Sequence, residues 1–232
     1  MSASFPCRFE EPAGPRYGLV VLRTDETLEG DMRRLLPPDA RVHVARLPNA
    51  ADITPDTLGA MEGEIARAAA LLPEGGYDAV VYGCTSASAV IGSGRVAALL
   101  GEGCRAERFA DPLSALVSAC RGRGVRRLAF VSPYVESVSA RLVAALEREG
   151  IAVVRLVSFG VGDDREVARI DTASVVAAAR EAVSGEGERA EAVFLSCTNL
   201  RTLDAIAALA DIGRPVWSSN LLLAHALRAT AA

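Results

Sequence analysis

No lysine occurs among the 232 residues, so all 25 basic residues are arginine. Schiff-base and pyridoxal-phosphate chemistry need a lysine amine, and a P-loop nucleotide site needs its Gly-Lys-Ser/Thr; these classes are excluded. Histidine is scarce, with only His43 and His225, and no Cys-x-x-Cys pair exists, so no metal site is expected. Cysteine numbers five, odd and too few for a disulfide scaffold. A basic surplus is also missing: 25 basic against 29 acidic groups leave a net charge of −4, which argues against nucleic acid as a partner. No apolar stretch approaches the roughly 18 charge-free residues of a membrane span. Residues 1–16 carry Pro6, Pro12, Pro15, Glu10 and Glu11 with no apolar core of signal-peptide length. They read as a loose tail, and the expectation is a cytoplasmic protein with reduced thiols.

What is present is apolar and alternating. Half the residues are hydrophobic and the mean hydropathy is +0.24, enough for a chain of this size to bury roughly 70% of its unfolded surface. Strands are expected at 17–22, 42–47, 77–83, 105–109, 127–132, 151–159, 190–196 and 215–218. Between them, helices are expected at 26–36, 54–72, from Thr85 to about Leu100, from Pro112, and at 135–149, 172–183, 200–210 and 221–228. Thr54 is placed to N-cap its helix with Pro55 at the first position. Strands separated by helices predict an α/β protein with parallel sheets covered on both faces.

The alternation also repeats. Leu19–Leu22 falls on Leu128–Val131 at a shift of 109 (128 − 19), and Arg46-Leu47 falls on Arg155-Leu156. Asp78 to Ser86 matches Glu191 to Asn199 at a shift of 113 (197 − 84 for the cysteines), with a small insertion expected at Gly185-Glu186-Gly187. Any two buried strands share valines and alanines; the same Cys-Thr ending the third strand of both halves is harder to obtain by chance. The fold expected is two pseudo-symmetric, flavodoxin-like open parallel sheets from an internal duplication, with the active site between them. The lobes are residues 1–111 and 112–232, and the C-terminal helix, 221–232, is expected to pack on the first.

Ligands of open parallel sheets bind beyond the carboxyl ends of the strands. Cys84 and Cys197 each end a strand, and each is read as preceding a helix, whose N-terminal N–H groups favour a thiolate and attract carboxylates. Thr85, Ser86, Thr198 and Asn199 add polar groups beside them. Two opposed thiols suit proton transfer at carbon without a cofactor, or thiolate addition to an activated double bond followed by rotation and expulsion. Cys104 and Cys120 read as small buried hydrophobes, and Cys7 sits in the tail. His43 reads as a half-buried strand residue and His225 as a helix-surface one. Gly92-x-Gly94-x-x-Ala97 fits a loose dinucleotide pattern but lies eight residues past Cys84, so its glycines are assigned to close helix packing. Arg121, Arg123, Arg126 and Arg127 read as a solvated turn.

The strings Gly83-Cys84-Thr85-Ser86-Ala87-Ser88-Ala89-Val90-Ile91-Gly92 and Leu195-Ser196-Cys197-Thr198-Asn199-Leu200-Arg201-Thr202 resemble the two cysteine motifs of the aspartate/glutamate racemase superfamily. Within it the chain is similar to the maleate cis-trans isomerase branch, and most of all to the ectoine-utilisation proteins beside it. The resemblance runs from Tyr17 to Arg228 and includes Thr24 to Glu29, Ser132-Pro133-Tyr134 and Ser218-Ser219-Asn220. It implies a cofactor-free site between two lobes, with Cys84 as nucleophile and Cys197 as acid/base. It also implies carboxylate-holding groups at Thr85, Ser86, Thr198, Asn199 and Tyr134. At a shift of 109, Asp25 stands opposite Tyr134 in the other lobe. The chain departs from the maleate isomerase pattern in having Asp25, and Asp164 in the Asp163-Asp164 pair, where asparagines occur there. An aspartate repels a substrate carboxylate unless protonated, or pairs with an amine. That favours an amino-acid-like substrate, such as a diaminobutyrate derivative from ectoine breakdown.

The resulting expectation is a cofactor-independent isomerase or racemase of a small carboxylate or amino-acid derivative. Its site is Cys84 and Cys197 with Asp25, Thr85, Ser86, Tyr134, Asp164, Thr198 and Asn199, and a homodimer is the base-rate assembly. The rivals are a non-catalytic small-carboxylate binding protein, a thiol redox protein, and a decarboxylase of the arylmalonate type, against which the presence of Cys84 counts.

Overall fold

The computed structural model describes residues 4–10, 13–184 and 189–229; the insertion expected at 185–187 lies outside them. In chain order the elements are β1 (Arg16–Leu22), α1 (Leu28–Leu35), β2 (Arg41–Leu47), α2 (Pro55–Ala60), α3 (Glu62–Ala69), β3 (Gly76–Tyr77), β4 (Ala79–Gly83), α4 (Thr85–Ile91), α5 (Ser93–Gly103), β5 (Arg105–Ala106), β6 (Phe109–Ala110) and α6 (Pro112–Arg123). The second half continues with β7 (Arg127–Tyr134), α7 (Glu136–Arg148), β8 (Ala152–Val161), α8 (Asp164–Val167), α9 (Thr172–Val183), β9 (Ala192–Leu195), α10 (Leu203–Ala208), β10 (Val216–Ser218) and α11 (Ser219–Arg228).

The strands form two four-stranded parallel sheets, ordered β2-β1-β4-β6 and β8-β7-β9-β10, beside a two-stranded β3-β5 ladder. Each large sheet runs second, first, third, fourth strand of its own half, which is the internal repeat expressed as topology. The ladders correct the alignment. Tyr17 pairs with Ala79 in one sheet and Leu128 with Ala192 in the other. With the third strands equivalent at 113 (192 − 79), the first strands correspond at 111 (128 − 17), not 109. A slip of two keeps every side chain on its own face, so the hydrophobic pattern cannot separate the two registers. Arg23, not Asp25, is the ladder counterpart of Tyr134.

β1 shows why its residues are apolar throughout. Tyr17, Leu19 and Val21 pack against Leu28 and Met32 of α1 and Leu223, Ala224 and Leu227 of α11, while Val20 and Leu22 face the other way into a cluster containing Ile65 and Leu100. That larger cluster continues through Leu128, Phe130 and Phe194, so the two lobes share one core. The C-terminal helix begins at Ser219, two residues before the expected start, and its Leu223, Ala224 and Leu227 share a cluster with Tyr17, Leu19 and Leu28. No helix among the described residues is long and apolar enough to cross a membrane.

Two expected helices are each divided. The one capped by Thr54, which makes a full capping box with Thr57, breaks at Met61; the one after Cys84 breaks at Gly92. Gly92 holds a φ of 94°, and a Cβ on it or on Gly94 would meet nothing within 4 Å. The close-packing role assigned to these glycines is therefore wrong: Gly92 supplies a backbone bend that a side chain would strain. The helix contact belongs to Gly103, where a Cβ would lie 2.2 Å from the Ala66 carbonyl oxygen of α3. The strand expected at 77–83 is interrupted at Asp78, whose carboxylate accepts the Arg16 N–H at 2.6 Å. Gly103→Ala is expected to cost about 1–3 kcal/mol in urea unfolding, whereas Gly94→Ala, unstrained and unopposed, should be neutral or stabilise by up to about 1 kcal/mol.

Candidate active site

The carboxyl ends of β1 and β4, and of β7 and β9, are the points at which the strand order reverses in each sheet, and they face one enclosed space. Its cavity volume is only about 20 Å³, room for about one water and well below the roughly 300–1,000 Å³ of occupied small-molecule sites, so a substrate must part the walls to enter. Cys84, Ser86, Tyr134, Asp164, Cys197 and Thr198 line it. The rest of the wall comes from the first lobe, from Asn49 to Met61 with Leu22. Nothing marked that wall in the sequence, because its residues are ordinary loop and helix types. It is latched across the lobes by backbone bonds from Ile53 N–H to the Gly162 carbonyl (2.8 Å) and from Asp164 N–H to the Ala51 carbonyl (3.0 Å).

Cys84 is the N-cap of α4. Its Sγ accepts the Ala87 N–H at 3.5 Å and lies 3.6 Å from Ser86 Oγ. Cys197 differs from the expectation: no helix follows it until Leu203. The intervening residues cross to the other lobe instead. Thr198 Oγ1 donates to the Gly83 carbonyl at 3.1 Å, and the Asn199 carbonyl accepts the Thr27 hydroxyl at 2.9 Å. Cys197 itself has a φ of 106°, the one positive φ at a non-glycine among the described residues, a conformation costing about 1–3 kcal/mol. Its Sγ accepts the Asn199 N–H at 3.3 Å.

Both thiols are free and 3% exposed. Burial pushes the Cys84 thiol up to about 12, with Asp164 and Asp25 adding to the rise and the Ala87 N–H and Ser86 opposing it. Cys197 is raised well above its ordinary value by burial and then by Asp164, with Tyr134 and the Asn199 N–H opposing it. The resting site therefore holds two neutral thiols. Asp164 is raised by burial and accepts from Thr24 Oγ1 at 2.5 Å.

Three expected site residues stand outside the cavity lining. Asp25 Oδ1 caps α1, accepting the Thr27 and Leu28 N–H groups at 2.9 and 2.8 Å. Its buried Oδ2 has no good partner, because the neighbouring Thr198 hydroxyl is directed to Gly83; burial lifts this carboxyl to about 6. The Thr85 hydroxyl is 2.8 Å from Ser219 Oγ. The Asn199 side chain accepts the Glu26 N–H and donates to the Asp164 carbonyl, both at 2.8 Å. Two polar residues not singled out, Thr24 and Ser219, hold Asp164 and Cys197; their only mark was membership of the strings quoted above. His43 lies edge-to-face on Tyr77, and His225 is on the exposed face of α11.

Two thiols, one at the end of the third large-sheet strand of each half, thus line one cavity of a doubled α/β fold. The family model described as arylmalonate decarboxylase matches residues 18–231, and the chain belongs to that family. It is 29% identical to the maleate isomerase of Nocardia farcinica over 91% of this chain and 88% of the relative. It is 34% identical to the arylmalonate decarboxylase of Bordetella bronchiseptica over 46% and 45%. Among solved structures, a cysteine-to-serine variant of the Nocardia farcinica enzyme with a covalently bound succinylcysteine intermediate superposes with a TM-score of 0.80. That match has 28% identity and covers 92% of this chain and 91% of the other.

With iodoacetamide at about pH 8, mass spectrometry is expected to find exposed Cys7 labelled while Cys84 and Cys197 stay unlabelled. Asp164→Asn removes a neighbouring negative charge, lowers both thiols and should speed their labelling roughly three- to tenfold. Asp25 carries a second consequence. Its folded-state carboxyl lies above the ordinary 3.8, so its contribution is intact below that value and lost as pH rises through about 6. Asp25→Asn keeps the Oδ1 cap and should be about 1–3 kcal/mol more stable than wild type at about pH 8 in urea, the gap closing below about pH 4.

Proposed function

We propose that the protein is a cofactor-independent isomerase or racemase of a small carboxylate, with Cys84 as nucleophile or base and Cys197 as acid/base. The observation carrying this reading is that both thiols line one cavity, each already accepting a backbone N–H that eases thiolate formation. In the addition route Cys84 first releases its proton to solvent; the thiolate forms a C–S bond to one alkene carbon and Cys197 gives its proton to the other. Rotation about the resulting single bond follows. The Cys197 thiolate then takes a proton back as the C–S bond breaks, and Cys84 leaves as thiolate. In the proton-transfer route one thiolate removes a Cα proton and the opposing thiol delivers one to the other face. The addition route returns both sulfurs to their starting states; the proton-transfer route leaves thiolate and thiol exchanged, and a reverse turnover or proton exchange with solvent restores them. The succinylcysteine form of the Nocardia farcinica enzyme supports the first.

Electrostatics favour an amine-bearing substrate over a dicarboxylate. Asp52 and Asp164 line the cavity and no arginine or histidine among the described residues does. Acetylated diaminobutyrates from ectoine breakdown fit that requirement, with Ser86, Tyr134 and Thr198 as the groups that hold their carboxylate. Decarboxylation is the second reading, supported by the family model; the occupied Cys84 position counts against it.

The test is proton NMR in D₂O on wild type, Cys84→Ala and Cys197→Ala with maleate, aspartate, glutamate, acetylated diaminobutyrates and an arylmalonate. Deuterium entering Cα only with both thiols present is the expected result and names the substrate class. Conversion of maleate to fumarate without Cα exchange selects the addition route, and carbon dioxide release selects the second reading. A panel that binds without any reaction leaves only a binding protein.

A further inference from the structure

We propose that Ser219, at the start of α11, is a positioning residue that holds Cys197 in its reactive conformation and ties it to the Cys84 loop; the functional half of this inference rests on the paired-thiol reading above. Ser219 Oγ accepts the Cys197 N–H at 3.1 Å and shares a hydrogen with Thr85 Oγ1 at 2.8 Å. One hydroxyl therefore touches the residue after the first thiol and the backbone of the second. Ser219 is 0% exposed, Thr85 1% and Cys197 3%, so both bonds are made away from bulk water.

The geometry requires such a group. Cys197 holds a φ of 106° without a helix after it to fix its backbone. An unsatisfied buried N–H costs about 1–3 kcal/mol, comparable to the strain at this φ. Without the Ser219 acceptor the peptide loses the bond that offsets that strain, although Thr198 and Asn199 stay tied, and its relaxation moves Sγ off the Asn199 N–H. Ser219 is itself anchored from the first lobe. α11 buries Leu223, Ala224 and Leu227 against Tyr17, Leu19 and Leu28, and Asn220 donates to both Asp31 Oδ2 and the Thr198 carbonyl at 2.8 Å. The position of the second lobe's thiol is thus dictated by a helix seated on the first lobe. The Thr198–Gly83 bond braces the same two loops in the opposite sense.

The test compares wild type with Ser219→Ala, Ser219→Thr and Thr85→Val, on the substrate the NMR panel identifies and on ¹⁵N-cysteine-labelled protein. Ser219→Ala is expected to lower kcat roughly 10- to 100-fold while KM stays within about twofold, since misplacement of a reacting group by an ångström has effects of that size. Its Cys197 amide resonance should shift while those of Cys104 and Cys120 do not. Ser219→Thr, which keeps the hydroxyl, should recover most of the rate. Thr85→Val leaves the Cys197 acceptor in place and should lower kcat less. An unchanged kcat overturns the proposal, as does a rate lost together with thermal stability and not rescued by threonine. If wild type turns over nothing, the paired-thiol reading has failed by itself; the amide then decides, and an unmoved Cys197 resonance in Ser219→Ala overturns the positioning claim.

Discussion

The hydrogen bonds of Asn199 are the joint on which the rest of the site depends. Its Oδ1 takes the Glu26 N–H and its Nδ2 gives to the Asp164 carbonyl. Its own N–H meets the Cys197 sulfur and its carbonyl receives the Thr27 hydroxyl. One residue thereby fixes the second thiol, the loop after β1 and the loop after β8. The bonds to Cys197, Thr27 and Asp164 are buried and the one to Glu26 partly so, and in such surroundings unmade bonds are costly and satisfied networks specify one arrangement. A cavity between two lobes has no sheet of its own to hold it; here side chains crossing the gap do so.

That arrangement carries an electrostatic cost. Two thiols and two carboxylates are withdrawn from water at the strand ends, with no cation lining the cavity. Desolvation lifts all four groups toward their neutral forms, and the carboxylates raise the thiols further. The protein tolerates this because every sulfur keeps a backbone N–H and because an enclosed, low-dielectric site magnifies whatever charge a substrate brings. A neutral resting pair also limits stray alkylation and oxidation, which need thiolate.

Most of the fold was legible because buried parallel strands leave long apolar runs and their helices leave an apolar stripe. What escaped was local and polar. The break at Met61 falls between Gly59 and Gly63, whose signal the continuous apolar stripe of Leu58, Met61 and Ile65 masked, and the short α8 is held by Asp163 capping Arg165 N–H, which spacing alone does not reveal. The repeat was visible but its register was off by two, since alternation has a period of two. At the site, Cys84 stood as an N-cap in the way its string implied. Cys197 did not, because Thr198 and Asn199 spend their hydrogen-bonding groups on the opposite lobe in place of a helical turn.

The sequence by itself determined the α/β alternation, the duplication, the two cysteines and the classes of chemistry that the absence of lysine closes off. These follow from residue type and periodicity, which are local properties. Only the tertiary structure decided that Asp25 caps a helix, that Thr85 and Asn199 tie the loops together, that residues 49–61 wall the cavity and that Ser219 pins the second thiol. Thr85, Asn199 and Ser219 bond to partners distant in the chain, whereas the Asp25 cap on Thr27 and Leu28 is local and is decided by which polar group wins those N–H donors. Chain spacing carries no information about such a contest until the lobes have closed on each other.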